Sequence, residues 1–236
     1  MNKNIIAIDG PAAAGKGTIS KQICDKYNLI SLDTGSLYRA ITVALIESDF
    51  FLAVTGELSD ANIEVAVNLT KKLTASHEIL AYAKNPNIRS KATNTYVPII
   101  AKIPEIRQVM KSYQKQFVTN PPKLPNGQVP KGVVIEGRDI GTVVCPDAPL
   151  KFYITASPEA RAERRLKDFI AQGEVNSTFD EILASIKQRD EMDMNRPNSP
   201  LKPADDAIII DTTNLDITSA FSEIDKWIKQ RLDLSA

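Results

Sequence analysis

Ile5-Ile6-Ala7-Ile8-Asp9-Gly10-Pro11-Ala12-Ala13-Ala14-Gly15-Lys16-Gly17-Thr18 is the stretch on which the reading of the chain turns. Its apolar start, Ile5 to Ile8, reads as a short buried strand. Gly10 and Gly15 then bracket a loop of small residues. Lys16 follows, and from Thr18 the pattern turns helical. The order is strand, phosphate-cradling loop, helix N-terminus. Glycines let successive backbone N–H groups converge on an anion. The helix dipole adds positive potential at the same place, and Lys16 supplies a mobile cation for the β- and γ-phosphates of a nucleotide.

This phosphate loop, a P-loop, departs from the commonest pattern at one position. A serine or threonine usually follows the lysine, and its hydroxyl holds Mg²⁺. Here that place is Gly17, and the hydroxyl comes one residue later, at Thr18. Mg²⁺ is therefore expected to enter with ATP, held mainly by phosphate oxygens and water. Thr18 is expected at a phosphate nearer the sugar.

Composition narrows the classes. The 236 residues fit one domain with small insertions. Lys+Arg and Asp+Glu are equal at 29 each, which argues against a general nucleic-acid binder. One histidine, His77, excludes a multi-histidine metal centre, and Cys24 and Cys145 suggest neither a disulfide framework nor a metal site. No apolar run approaches the ~18 residues of a membrane span. The start, Met-Asn-Lys-Asn, runs straight into the first strand and leaves no room for a signal peptide. A cytoplasmic, monomeric protein is expected.

Further along, residues 16–27 read as a helix and 29–32 as a second strand. A turn at Asp33-Thr34-Gly35 leads into a helix over 36–46. Residues 60–73 are amphipathic, 74–95 are polar and weakly patterned, and 99–118 read as one long helix carrying Arg107. Thr119 to Lys131 holds four prolines and one glycine and reads as an exposed loop. Strands follow at 133–135, 150–154 and 207–210. Helices are expected from Ser157-Pro158 to about Ala171, over 179–195 and over 217–232, with a polar linker at 173–177. Five apolar strands alternating with helices argue an α/β fold, a parallel sheet with helices on both faces.

The arginines point to the chemistry. Arg39 follows the second strand and Arg138 the third, Arg107 is on the long helix, Arg161, Arg164 and Arg165 share one helix, and Arg189 and Arg196 belong to the next. A parallel sheet brings the carboxyl ends of its strands to one rim, so Arg39 and Arg138 are expected to face Lys16. Phosphoryl transfer needs such cations, because charge spreads over the equatorial oxygens of the moving group.

At this level of detail the chain resembles the bacterial cytidylate kinases. The motifs that carry the likeness are the loop Gly10 to Thr18, Leu32-Asp33-Thr34-Gly35-Ser36-Leu37-Tyr38-Arg39 and Glu136-Gly137-Arg138-Asp139-Ile140-Gly141-Thr142. Pro146-Asp147-Ala148-Pro149 and Arg189-Asp190-Glu191-Met192-Asp193-Met194-Asn195-Arg196 carry it too. The resemblance spans nearly the whole chain in order. It implies a three-layer P-loop NTPase fold and transfer of the γ-phosphate of ATP to CMP or dCMP in pyrimidine nucleotide metabolism. It also implies one kinase domain over 1–236. Its core would be 1–57, 98–156 and 181–236, with an NMP-binding insertion at about 58–97 and a lid at about 157–180.

Carried over by position, Gly10, Pro11, Ala12, Ala13, Ala14, Gly15, Lys16, Gly17 and Thr18 would bind ATP. Arg161, Arg164 and Arg165 belong to the implied lid, with Arg161 and Arg165 on ATP. Arg39, Arg138 and Arg196 would grip the acceptor phosphate, with Thr34 and Gly137 close by. Arg107 and Asp139 would read the cytosine edge, because a carboxylate accepts from the exocyclic amine and an arginine donates to the ring acceptors. Asp193 and Arg189 would hold the sugar, and Tyr38 would neighbour the acceptor. Lys16, Arg138 and Arg196 would act on the transferring phosphate.

Three departures stand out. Pro98 occupies the place of a base-reading serine, for which Thr95 could substitute. The segment from Thr74 to Ile88 is short, so a small sheet there would be reduced. The loop from Thr119 to Lys131 is long. A UMP/CMP or other monophosphate kinase, and a nucleotide-binding switch without transfer, remain as alternatives. An RNA-binding module is disfavoured by the neutral charge and the lack of an aromatic-rich motif.

Overall fold

A computed structural model describes residues 4–53, 57–171 and 177–234. In chain order the elements are β1 (Ile5–Asp9), α1 (Lys16–Tyr27), β2 (Ile30–Asp33), α2 (Thr34–Glu47), α3 (Asp60–Ala75), α4 (Ile79–Tyr82), α5 (Lys91–Ile100) and α6 (Pro104–Thr119). They continue with β3 (Val133–Gly137), β4 (Leu150–Thr155), α7 (Pro158–Ala171), α8 (Phe179–Asn195), β5 (Ile208–Asp211) and α9 (Ile217–Arg231). The chain divides into two compact units, residues 1–32 with 118–236, and residues 33–117.

The sheet runs β2-β3-β1-β4-β5. β1 lies parallel between β3 and β4, with Asp9 level with Gly137 on one side and Tyr153 on the other. β4 pairs parallel with β5. A strand inside a parallel sheet is covered on both faces, so its sequence reads as a continuous apolar run rather than an alternation. β3 meets this in full, with all five residues buried, and Ile6, Ala7 and Ile8 of β1 are wholly buried. Helices surround the sheet in the three-layer α/β arrangement. On one face, Ile19 and Ile23 of α1 and Ala220, Ile224 and Ile228 of α9 pack on Ile6, Ile8, Phe152 and Ile154.

A polar staple joins those two helices. The Asp225 carboxylate accepts from Tyr27 Oη at 2.7 Å and Lys26 Nζ at 2.6 Å, and Lys229 Nζ lies 2.8 Å from its second oxygen. Burial pushes the Asp225 carboxyl up, but Lys229, Lys26 and Tyr27 outweigh it and bring the group down to about 2. A folded-state value below the unfolded one adds stability above the unfolded value, lost as pH falls toward the folded one. Asp225→Asn is therefore expected to cost about 1–2 kcal/mol in urea unfolding at pH 7. The gap to wild type should close between the ordinary 3.8 and about 2. A gap that stays constant over that range would refute the ionic origin.

Several boundaries follow from caps. Pro158 opens α7 and Pro104 opens α6 at positions where the missing N–H is no loss. Thr178 and Glu181 form a capping box on α8, and Ser59 and Asn62 form one on α3. The polar linker expected at 173–177, apart from Ser177, lies outside the described residues.

The 33–117 unit is helical throughout its described residues, so the reduced small sheet expected between Thr74 and Ile88 takes the form of α4 and a 3₁₀ turn at Pro86–Arg89. The single helix expected over 99–118 is two helices. Pro104 disfavours helical geometry at Ile103, and the chain turns there through Lys102 N–H to Ile99 and Ile103 N–H to Ile100. Pro98 is accommodated inside α5. The turn expected at Thr34-Gly35 is the first turn of α2, because the Asp33 carboxylate caps it, accepting from Gly35 N–H at 2.9 Å and Ser36 N–H at 3.2 Å. This unit is wider than the 58–97 expected for the insertion, because the buried apolar face of α2 packs on α4 and α5. Among the described residues no helix is long and apolar enough to cross a membrane.

Candidate active site

In the sheet-bearing unit the P-loop leaves the end of β1. A Cβ on Gly10 would lie 1.9 Å from the Ile154 carbonyl oxygen, so only glycine lets β1 and β4 meet there. Ala13 and Gly15 take left-handed φ values of 59° and 88°, which turn the loop back over the start of α1. No side chain caps α1 and its first turn holds no acid. The helix thus presents its N-terminal dipole to an anion. Lys16 is buried, and its ammonium donates to the carbonyls of Gly10 at 2.8 Å and Pro11 at 2.7 Å. Gly17 and Thr18 are exposed. A Cβ on Gly17 would come 3.7 Å from Glu136 Oε1, so a carboxylate borders the loop.

Beside it, β3 ends at Gly137 and leads through Arg138 and Asp139 into a π-helical turn, Ile140–Val144. The Asp139 carbonyl accepts from Val143 N–H at 2.9 Å and Val144 N–H at 3.2 Å. Arg138 donates from Nε to Asp193 at 2.8 Å and from Nη1 to the Gly137 carbonyl at 3.2 Å. Arg196 Nη2 lies 3.6 Å from Asp139 Oδ1, and its Nε donates to the Ser199 carbonyl. Four of the expected acceptor residues thus form two ion pairs, Arg138 with Asp193 and Arg196 with Asp139, and Gly137 accepts from Arg138 beside them. Arg189 stands one helical turn before Asp193 and is exposed.

The arginines of α7 separate. Arg161 is 3% exposed and grips Asp190 of α8 with two bonds of 2.5 and 3.0 Å. It also reaches the carbonyls of Ala156 and Ala12. It bolts α7 to α8 and to the P-loop. Arg164 turns to the end of β5, donating to the carbonyl and hydroxyl of Thr212. Arg165 packs its guanidinium 4.7 Å from the centre of the Phe169 ring.

The remaining expected residues belong to the helical unit. Thr34 is buried at the first position of α2. Tyr38 and Arg39 are half-buried one turn on. Arg39 donates from Nη1 to Asn94 at 2.7 Å and to the Ile88 carbonyl at 3.1 Å, which ties α2 to α5. Arg107 of α6 donates to the Ala101 carbonyl at 3.4 Å. The Thr95 hydroxyl bonds back to Lys91 within α5.

Sequence reasoning passed over three acids. Asp190 and Glu136 were letters of motifs, and Asp9 stood between the first strand and the loop. Asp9 is 3% exposed, and its carboxylate accepts from Ile140 N–H at 2.8 Å and Gly141 N–H at 2.7 Å. Burial pushes its carboxyl up to about 6, against the pull of those two amides and of Lys16. A carboxylate closing a buried strand beside a phosphate loop was the available signal, since such a charge is costly without partners.

A P-loop and two arginine–aspartate pairs on one sheet rim fit a nucleotide phosphotransferase. The cytidylate kinase family model matches residues 6–230. The chain belongs to the cytidylate kinase family. The cytidylate kinase of Brucella suis biovar 1 is 39% identical over 228 residues, covering 97% of this chain and 94% of that protein. The cytidylate kinase of Brucella ovis matches with the same identity and coverage. Among solved structures, an uncharacterized protein from Eubacterium ventriosum aligns with a TM-score of 0.51 at 14% identity, over 97% of this chain and 99% of that one. That likeness concerns the fold alone. Family membership makes the chain a kinase, with the transferase and nucleotide-binding character of its relatives.

Proposed function

We propose that the protein transfers the γ-phosphate of ATP to CMP or dCMP, giving ADP with CDP or dCDP. The observation that carries this reading is the two arginine–aspartate pairs, Arg138 with Asp193 and Arg196 with Asp139, on the same rim as the P-loop. A switch that only binds ATP has no use for a second arginine set. Arg138 and Arg196 grip the acceptor phosphate together with Arg39, Asp193 and Arg189 hold the sugar, and Asp139 with Arg107 reads the base. Residues 58–97 form the acceptor-binding insertion and residues 157–180 the lid, of which 172–176 lie outside the described residues. The protein works as a cytoplasmic monomer.

Mg²⁺ fits this site as a companion of ATP. Among the described residues no group of three or more His, Cys, Asp or Glu side chains is placed to hold a metal. The loop offers the exposed Thr18 hydroxyl and the neighbouring Glu136 carboxylate. Such a sparse set suits an ion that keeps waters and binds through substrate phosphates. When bound it neutralises charge developing on those phosphates.

Asp139 sets the choice of base. Its carboxylate accepts from the cytosine amine, whereas uracil presents a carbonyl oxygen there and leaves the charge unpaired. A buried unsatisfied group costs ~1–3 kcal/mol, so CMP is expected to beat UMP by at least about tenfold in kcat/KM. Asp139→Asn can turn its amide either way, and the ratio should collapse toward one while CMP turnover survives. A coupled assay of ADP release with CMP, dCMP, UMP, AMP and GMP tests both points. Preference for AMP or GMP would overturn the substrate, and an unchanged CMP/UMP ratio in the variant would move base reading elsewhere.

A further inference from the structure

We infer that Asp9 is a positioning residue for the acceptor side: from the end of β1 it fixes the turn that carries Arg138 and Asp139. The inference rests on the assignment of those two residues to the acceptor nucleotide. Asp9 ends β1, and the next residue, Gly10, begins the P-loop. Its neighbours across the sheet are Gly137 and Tyr153, so the ends of β1 and β3 meet there beside β4. The strand end cannot shift easily, because Gly10 already sits against the Ile154 carbonyl. One oxygen of Asp9 takes the Ile140 amide and the other the Gly141 amide, the first two residues after Asp139. The donor loop and the acceptor turn therefore share one pin.

The chemistry of the pin demands a carboxylate. Two adjacent N–H groups converge on two oxygens, and an asparagine can accept at only one of them while its NH₂ opposes the other. Packing alone would not favour an ionisable group at 3% exposure. Gly141 is part of the fit, since a Cβ there would lie 3.4 Å from Asp9 Oδ2 and 3.2 Å from Lys151 Cδ. Four charged or titratable groups surround Asp9. Lys16 of α1 favours its ionised form, Asp139 of the turn opposes it, and Tyr153 and Lys151 belong to β4 alongside. Ionised Asp9 holds both amides, and protonated Asp9 releases part of that hold.

The test uses the full chain. In Asp9→Asn and Asp9→Ala, KM for CMP should rise about tenfold or more, because small displacements of positioning groups have large effects on productive geometry. KM for ATP should stay within about twofold of wild type. A merely structural role would lower the melting temperature and spare the ratio of the two KM values. Equal changes in both KM values, or none, would overturn the inference. Gly141→Ala approaches the contact from the other side and should reproduce the split.

A measurement on wild type covers the case in which no variant folds. The amide proton shifts of Ile140 and Gly141 should titrate together with a midpoint of about 6. The free enzyme is used, since a nucleotide phosphate titrates in the same range. Flat curves from about pH 4.5 to 8 would overturn the pin. If Arg138→Met leaves CMP binding intact while these amides still titrate, the fault lies with the acceptor assignment and not with Asp9.

Discussion

Lys16→Ala is expected to lower kcat by about 10²–10³-fold or more, the usual worth of a preorganised electrostatic donor, while the chain stays folded. The Lys16 ammonium donates to the carbonyls of Gly10 and Pro11. Those neutral acceptors hold the lysine over its own loop, within reach of a phosphate bound there. A charge-assisted bond to phosphate is about twice as strong as a neutral one, so the cation moves to the nucleotide without a large reorganisation. The loop should keep its shape in the variant, because its turns depend on the backbone at Gly10, Ala13 and Gly15. Asp9 should respond, since Lys16 is one of the groups that draw its proton affinity down. The amide titration of Ile140 and Gly141 should then move to higher pH. Single-turnover kinetics with ATP and CMP, alongside thermal melts, separate chemistry from folding. Activity within about tenfold of wild type would remove Lys16 from the transfer step.

What could be read from the sequence, and what could not, divides along the range of the interactions. β1, α1, α8 and α9 were legible to within a residue or so, because apolar runs, caps and helix periods are local. α8 matched its expected bounds of 179 and 195, its start set by the Thr178–Glu181 capping box. The break between α5 and α6 was missed because Pro104 could be read as an early-turn residue of a longer helix, and only the backbone path shows where the new helix begins. The P-loop and the residues after β3 stood out in the sequence because the spacing of such motifs is local. Asp9, Glu136 and Asp190 were not, since their roles depend on partners far along the chain. Asp9 meets amides 131 and 132 positions away, and Asp190 meets Arg161 from the next helix. Arg161 shows the same limit from the other side. Its residue type and helix suggested a group reaching for ATP, and only its burial reveals the bolt between α7, α8 and Ala12.

Arg138→Met should lower kcat/KM for CMP by about 10²-fold, with a much smaller effect on ATP affinity. Arg138 follows the last residue of β3, and its Nε is bound to Asp193 at 2.8 Å with both side chains about four-fifths covered. Two consequences follow from removing the guanidinium. On the proposed assignment the acceptor phosphate would lose a fork that matches two of its oxygens, and Asp193 would keep a largely covered carboxylate without that partner. The second effect would repel the incoming phosphate and deepen the loss beyond that of one missing contact. Arg138→Lys discriminates between them. It restores the charge opposite Asp193 but not the planar fork, so it should recover CMP affinity in part and turnover less. Binding measured separately for ATP and CMP, with kcat for each variant, reads the two effects apart. A loss confined to ATP would place Arg138 on the donor side, and full recovery of turnover by lysine would show that charge alone suffices there.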